Sequence, residues 1–410
     1  MNIIMKYNML YVNKKNGGNL WQHEQKRERM VIPMGTKKVI AAGHICLDVT
    51  PIFPQEKVTL IDDILKPGRL INMENVSVST GGSVANTGLA LKILDADVSL
   101  MGKIGDDDFG KLVLNVLEKY QASEGMLVCE GERTSYSVVL AIPGIDRIFL
   151  HDPGANNTFC AEDVPQEVLE EATLFHLGYP PLMKQMYQNH GCELKRLMKR
   201  AKDAGVATSL DFTSIDEGAE VGKVDWYLLL KEVIPYVDFF VPSVEELCYM
   251  LDKERFHSWQ ERAAGKDITE ILDIEQDVKP LADICMQLGV KVLLIKCGVK
   301  GMYYRTADSE TLDQIGAKAE LDVTKWADRV GFEKSFKPDR IASGTGAGDT
   351  SIAAFLKAML DGNTIEESVQ LAAATGACCV AAYDALGGLK SFEELRGKIA
   401  AGWEKNNFTC

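Results

Sequence analysis

Residues 341–350 read I-A-S-G-T-G-A-G-D-T and run into S-I-A-A-F-L-K-A-M-L at 351–360. Gly344, Gly346 and Gly348 alternate with small residues, Asp349 follows, and the apolar stretch after it reads as a helix. Such a turn presents N–H groups at a helix N-terminus, where they and the helix dipole stabilise negative charge. No Lys-Ser/Thr pair follows, so it is not a Walker loop, and no strand leads straight into it, so it is not a dinucleotide fingerprint. Asp349 falls at or near the N-cap, where a carboxylate caps a helix. Capping explains one aspartate but not three glycines, which let a backbone approach a ligand closely. On this reading the N–H groups hold charge developing on a phosphoryl group. Asp349 then takes the proton of an attacking hydroxyl.

Outward from this turn, short apolar runs alternate with helical stretches. Runs at 39–42, 98–101, 174–177, 207–210, 239–241 and 292–295 read as buried strands, and 193–204 and 274–288 read as helices. The alternation predicts an open, mostly parallel α/β sheet with helices on both faces. Ligands of such sheets bind beyond the carboxyl ends of the strands. Asp48, Gly178, Asp211, Glu246 and Gly298 all follow strands. Two segments break the rhythm. Residues 75–80 (N-V-S-V-S-T) alternate with period two, and 135–150 form two strand-like runs around P-G-I-D, a hairpin signal. They predict a small β-sheet lid built from about 48–80 and 133–152. The polar stretch 306–337 reads as an excursion ahead of the glycine turn.

A formal net charge of −14 argues against nucleic-acid and anionic-membrane partners. No run of about eighteen apolar residues predicts a membrane span. The ten cysteines include no C-x-x-C pair and read as reduced thiols of a cytoplasmic protein. Residues 1–37 are rich in lysine and arginine and lack the apolar core of a signal peptide. They read as a disordered leader, or as the product of a start assigned too early, with Met30 or Met34 as the true one; a basic docking tail is the second reading. The folded domain is expected over 38–410.

A second turn, G-G-S-V-A-N-T-G at 81–88, also leads into a helix. Gly81 and Gly82 permit a tight entry, and Asn86 both donates and accepts hydrogen bonds. Asp48 ends G-H-I-C-L-D, where a carboxylate accepts bonds from two hydroxyls of a polyol or merely forms a turn.

Taken together, G-H-I-C-L-D, G-G-S-V-A-N-T-G-L-A-L-K-I-L, V-S-L-M-G-K-I-G-D-D-D-F-G, D-F-T, P-S-V-E-E-L, I-K-C-G-V-K-G-M and G-T-G-A-G-D-T-S-I-A-A-F-L, in this order, resemble the ribokinase/PfkB family of sugar and nucleoside kinases. The resemblance runs from about residue 38 to 395. It implies a three-layer, doubly wound, mostly parallel α/β domain with a β lid over the sugar, and an ATP-dependent kinase using magnesium. Asp349 would be the catalytic base, and Thr345, Gly346, Ala347 and Gly348 the anion hole. Asp48, Gly81, Gly82 and Asn86 would hold sugar hydroxyls. Ser243 and Glu246 fall on the N-x-x-E motif linked to magnesium and the phosphates, with Glu246 acting on the metal through water. The nucleotide would pass Lys296, Gly298 and Gly301.

The chain departs from the pattern at two places. Ser243 stands where the family has Asn. Ser343 stands where many members have an Asp that helps bind a monovalent cation, so activation by potassium stays open. Ser83 after the glycine pair and the negative Asp48 favour an unphosphorylated sugar over a sugar phosphate. Arg147 on the lid hairpin could meet a sugar acid such as a ketogluconate, or stand in solvent. Tyr136 and Phe149 could clamp a nucleobase, or form lid core. A non-catalytic sugar-binding regulator is the reading from another class, disfavoured by the intact Asp349. An apolar lid face should not stay exposed, so a homodimer through the lid is expected.

Overall fold

The computed structural model describes residues 37–54, 60–145, 147–382 and 384–407. The expected leader lies outside the described residues except for Lys37. The main sheet takes β1 (Lys38–Gly43), β4 (Asp97–Gly105), β5 (Met126–Cys129), β8 (Leu174–Gly178), β9 (Ala207–Asp211), β10 (Phe239–Phe240), β11 (Val292–Lys296), β12 (Gly301–Thr306) and β13 (Val330–Lys334). A second sheet takes β2 (Cys46–Ile52), β3 (Asn75–Gly81), β6 (Tyr136–Leu140) and β7 (Ile148–Asp152).

The main sheet has the order β13-β12-β11-β10-β9-β8-β1-β4-β5. β5 through β11 of this order run parallel, and β12 and β13 add antiparallel at one edge. Both faces are covered. Ile40 and Ala42 of β1, with Leu293 and Ile295 of β11, enter one buried cluster. Val39 and Ala41, with Val292 and Leu294, enter the other. Strands buried on both sides carry apolar residues at every position, which is why these runs were legible. The stretch 306–337 is more than an excursion. It returns as edge strand β13, and its Trp326 is buried against Phe239 and Phe355, with ring centroids 6.1 and 5.8 Å away. An antiparallel edge strand needs no continuous apolar run, so its sequence carries little signal.

The lid has the order β3-β2-β6-β7, and β6 and β7 form the expected antiparallel hairpin. Asp146, in its P-G-I-D turn, lies outside the described residues. Only His44 and Ile45 separate β1 in the main sheet from β2 in the lid. The buried Asn156 side chain clamps that joint, accepting from Ile45 N at 3.2 Å and donating to Ile45 O at 2.9 Å. Period two divides the lid into faces. Asp48, Ser79, Ser137 and His151 lie in register on one face. Val78, Val49, Val138 and Leu150 lie in register on the other, where Val78 and Leu150 keep 44% and 54% of their surface exposed. The nine cysteines among the described residues are all free thiols, and no described helix is long and apolar enough to cross a membrane.

Candidate active site

The predicted site residues gather at the carboxyl ends of the parallel strands, under the lid. The helix Ala347–Leu360 begins after Gly346, whose φ of 72° only glycine adopts freely. A Cβ there would also come within 2.2 Å of the Ala385 Cβ. Gly346 therefore occupies the N-cap, and Asp349 is the third helical residue. Asp349 is thus near the N-cap, as its sequence position indicates, but it does not act as the cap: its carboxylate is buried and no side chain caps the helix. Asn86 Nδ2 donates to it at 3.0 Å, and the Tyr179 hydroxyl donates to both oxygens at 2.8 Å. Burial raises the Asp349 pKa above the ordinary carboxylate value, against the pull of Lys296, Tyr179 and Asn86. The group is thus an ionisable carboxyl with more than usual affinity for a proton.

Tyr179 was not singled out in the sequence. It follows Gly178 at the end of β8 and takes a left-handed φ of 66°, uncommon for a residue with a side chain. Burial and the neighbouring Asp349 push its hydroxyl pKa well up, so it stays a donor. The available signal was its place directly after a strand-ending glycine. His44, at the joint with the lid, stacks on Tyr179 with ring centroids 6.1 Å apart, and burial keeps it neutral.

Thr345 and Ala347 are drawn into the turn itself. Thr345 N donates to Ser343 Oγ at 3.1 Å, and Ala347 N donates to Gly344 O at 3.3 Å. The Thr345 and Ala347 N–H groups thus already have acceptors within the turn. Gly348 and Asp349 lie in the first helical turn, whose N–H groups have no partner within the helix. Lys296, at the end of β11, lies beside them: a Cβ on Gly348 would stand 3.6 Å from its Nζ. Lys296 Nζ also pairs with Asp211 at 2.7 Å. Burial works against the lysine charge, but Asp211 and Glu246 outweigh it and hold its pKa above the ordinary value. Burial raises Asp211, whose second oxygen has no partner among the described residues.

Ser243 and Glu246 form a capping box: Ser243 N donates to Glu246 Oε2 at 2.8 Å, and Glu246 N to Ser243 Oγ at 3.2 Å. The motif thus has a structural duty beside any part in ligand binding. Gly298 and Gly301 follow Lys296 with φ of 52° and 134°. A Cβ on Gly301 would fall 2.0 Å from Glu333 O, so packing against β13 accounts for that glycine.

On the lid side, Gly81 admits the Asp48 carboxylate, which a Cβ would meet at 2.2 Å. Gly82, with φ of 85°, caps the helix Ser83–Ile93 and puts Asn86 within reach of Asp349. Burial pushes Asp48 up to about 6, although the Cys46 thiol and Ser137 favour its charged form. Asp48, Ser79, Asn86, Arg147 and Thr345 line one cleft of about 980 Å³. Within it the Arg147 guanidinium turns to the Ser343 and Thr345 hydroxyls. Tyr136, half-buried, packs edge-on against the exposed Phe109, with centroids 5.5 Å apart. Phe149 shares the Asp48 face and is half exposed.

Residues 36–390 match the model of the pfkB family carbohydrate kinases. The chain is 23% identical to fructokinase-1 of Zea mays over 374 residues, 88% of this chain and 97% of the maize protein. It is 21% identical to the 2-dehydro-3-deoxygluconokinase of Bacillus subtilis over 343 residues, 82% of this chain and 90% of that protein. The structure of Arabidopsis thaliana ribokinase complexed with ribose and ATP superposes with a TM-score of 0.62 at 20% identity, covering 88% of this chain and 98% of that one.

Proposed function

The chain belongs to the pfkB family of carbohydrate kinases, and on that premise we propose that it moves the γ-phosphoryl group of ATP to a hydroxymethyl oxygen of an unphosphorylated sugar. The observation that carries this reading is the Asp349 carboxylate, buried at the start of a glycine-turn helix and held by Asn86 and Tyr179. Asp349 takes the proton of the attacking hydroxyl, and the N–H groups of the turn receive the charge of the transferring group. Tyr179 orients Asp349 and keeps its charged form hydrogen-bonded. Asp48 accepts from the sugar hydroxyls, and the glycine pair lets the sugar approach the backbone. Lys296 faces the phosphates, with Asp211 holding its ammonium in place.

Magnesium, when bound with the nucleotide, would offset the charge of the phosphates. Glu246 is the residue to hold it through water, with the unpartnered Asp211 oxygen as a second acceptor. Asp48 next to the substrate favours a neutral sugar over a sugar phosphate. A sugar acid is the second reading, because Arg147 lines the same cleft. The exposed apolar lid face supports a homodimer closed lid to lid.

The test is ADP release with fructose, ribose, nucleosides and 2-dehydro-3-deoxygluconate, on wild type and Asp349→Asn. One acceptor is expected to give turnover that the variant loses by about 10²–10⁴-fold. Full rate in the variant removes Asp349 as the base, and no turnover with any acceptor removes the kinase reading.

A further inference from the structure

Arg147 stands just ahead of β7, at the tip of the lid hairpin, yet it touches the glycine turn. Its guanidinium donates to the Thr345 hydroxyl, 198 residues further along the chain, and to the Ser343 hydroxyl at 3.4 Å. These two hydroxyls are themselves joined, Ser343 Oγ donating to Thr345 Oγ1 at 3.0 Å while accepting the Thr345 N–H. The guanidinium also lies along Gly344, whose Cβ, if it had one, would stand 3.2 Å from Nη2. On its other side the turn is anchored to the main domain: Ala342 N and Ser343 N donate to Val380 O at 2.8 and 3.2 Å. The turn is thus shaped from two sides, by the end of a helix in the main domain and by one arginine from the lid.

We propose that Arg147 is a positioning residue that couples closure of the lid to the final shape of the phosphate-facing turn. The coupling rests on the kinase reading above. A guanidinium is planar and always charged, and here its Nη1 meets both hydroxyls while Nη2 lies along Gly344, a spread that the single nitrogen of a lysine does not cover. Placed across Ser343 and Thr345, it fixes the residues that lead into Gly346 and the first-turn N–H groups. It also sets a permanent positive charge at the edge of the anion site. When the hairpin lifts, both leave together. A phosphoryl group therefore meets a finished anion site only under a closed lid, when water is excluded. Ser343 has a role on this account: its hydroxyl is the junction between the lid arginine and the Thr345 N–H.

The test compares Arg147→Met and Arg147→Lys with wild type by two measurements. The first is amide hydrogen exchange of 136–152 and 341–350 in the unliganded protein. Arg147→Met is expected to speed exchange in both segments, although they are far apart in sequence. The second is kinase turnover with the acceptor that wild type phosphorylates fastest. Arg147→Met is expected to lower kcat by about tenfold or more, with KM for ATP changed far less, on the scale by which anion-site groups act. Arg147→Lys should recover part of the rate, and added guanidinium should restore part of it to Arg147→Met. Faster exchange in the hairpin alone, or a kcat within about twofold of wild type, overturns the coupling and leaves the kinase reading standing. If wild type phosphorylates no acceptor, the kinase reading falls and the exchange data alone decide whether the two segments are coupled.

Discussion

The two glycine turns of this protein are built alike and used differently. Gly82 and Gly346 both sit at helix N-caps with left-handed φ, and neither helix has a side-chain cap. The helices Val244–Leu251, Ile365–Cys379 and Phe392–Ala400 instead begin with full capping boxes. A capping side chain occupies the first N–H groups of a helix, so a helix start meant for a ligand has reason to lack one. The two turns part in where they keep their charge. The first turn receives the carboxylate of Asp48 from the lid. The second carries its own, Asp349, two residues past the first helical position. They meet in the bond from Asn86 to Asp349, which joins residues 263 apart.

The comparison can be broken most severely at Gly346. Gly346→Ala meets both a left-handed φ and the Ala385 Cβ. Backbone strain alone costs about 1–3 kcal/mol, and turnover is expected to vanish as the anion site distorts. Gly82→Ala meets His44 O at 2.5 Å and should chiefly raise KM for the sugar. Equal losses of kcat in the two variants would show that the turns do not divide the work. Thermal denaturation and steady-state kinetics on both variants measure this.

A smaller effect is expected at Asp48. Its pKa is raised to about 6 by burial, so above that pH it is an ionised acceptor and below it is protonated. The acid limb of kcat/KM should therefore have a midpoint near 6, and Asp48→Asn should remove that limb while weakening sugar binding. Because folding disfavours the ionised form of a carboxyl with a raised pKa, the residue lowers stability above that midpoint. Asp48→Asn is thus expected to raise Tm at pH 7 while it harms activity. A lower Tm would mean that the carboxylate has partners in the fold that offset its burial.

The smallest effect is expected at a capped helix. Thr364 accepts from Glu367 N at 3.2 Å in a capping box away from the cleft. Thr364→Ala should cost about 1 kcal/mol of stability, read by denaturant titration, and leave kcat unchanged. A change in kcat would mean that the capped and uncapped helices are less separate than their starts indicate.

Much of this was legible in the residues. The apolar runs at 39–42 and 292–295 gave strands because both sheet faces are covered, and the alternation at 75–80 gave a lid strand because one face is polar. Asp349, Asn86, Asp48 and Lys296 were named and lie together. β13 was read as part of an excursion, because an edge strand is not required to be apolar throughout. Tyr179 was missed, because a single aromatic after a glycine has no local pattern. The sequence puts Asp349 at or near the N-cap without fixing which residue caps; Gly346 takes that position and Asp349 is the third helical residue.

By itself the sequence determined the order of strands and helices and the two glycine turns, because periodicity and backbone permissiveness are local properties. Only the tertiary structure decided which side chains face one another. Tyr179 reaches Asp349, Asp211 holds Lys296, and Arg147 crosses from the lid to Ser343 and Thr345. Each pair is joined by the packing of the strands and of the lid above them, and no local rule of sequence encodes such a meeting.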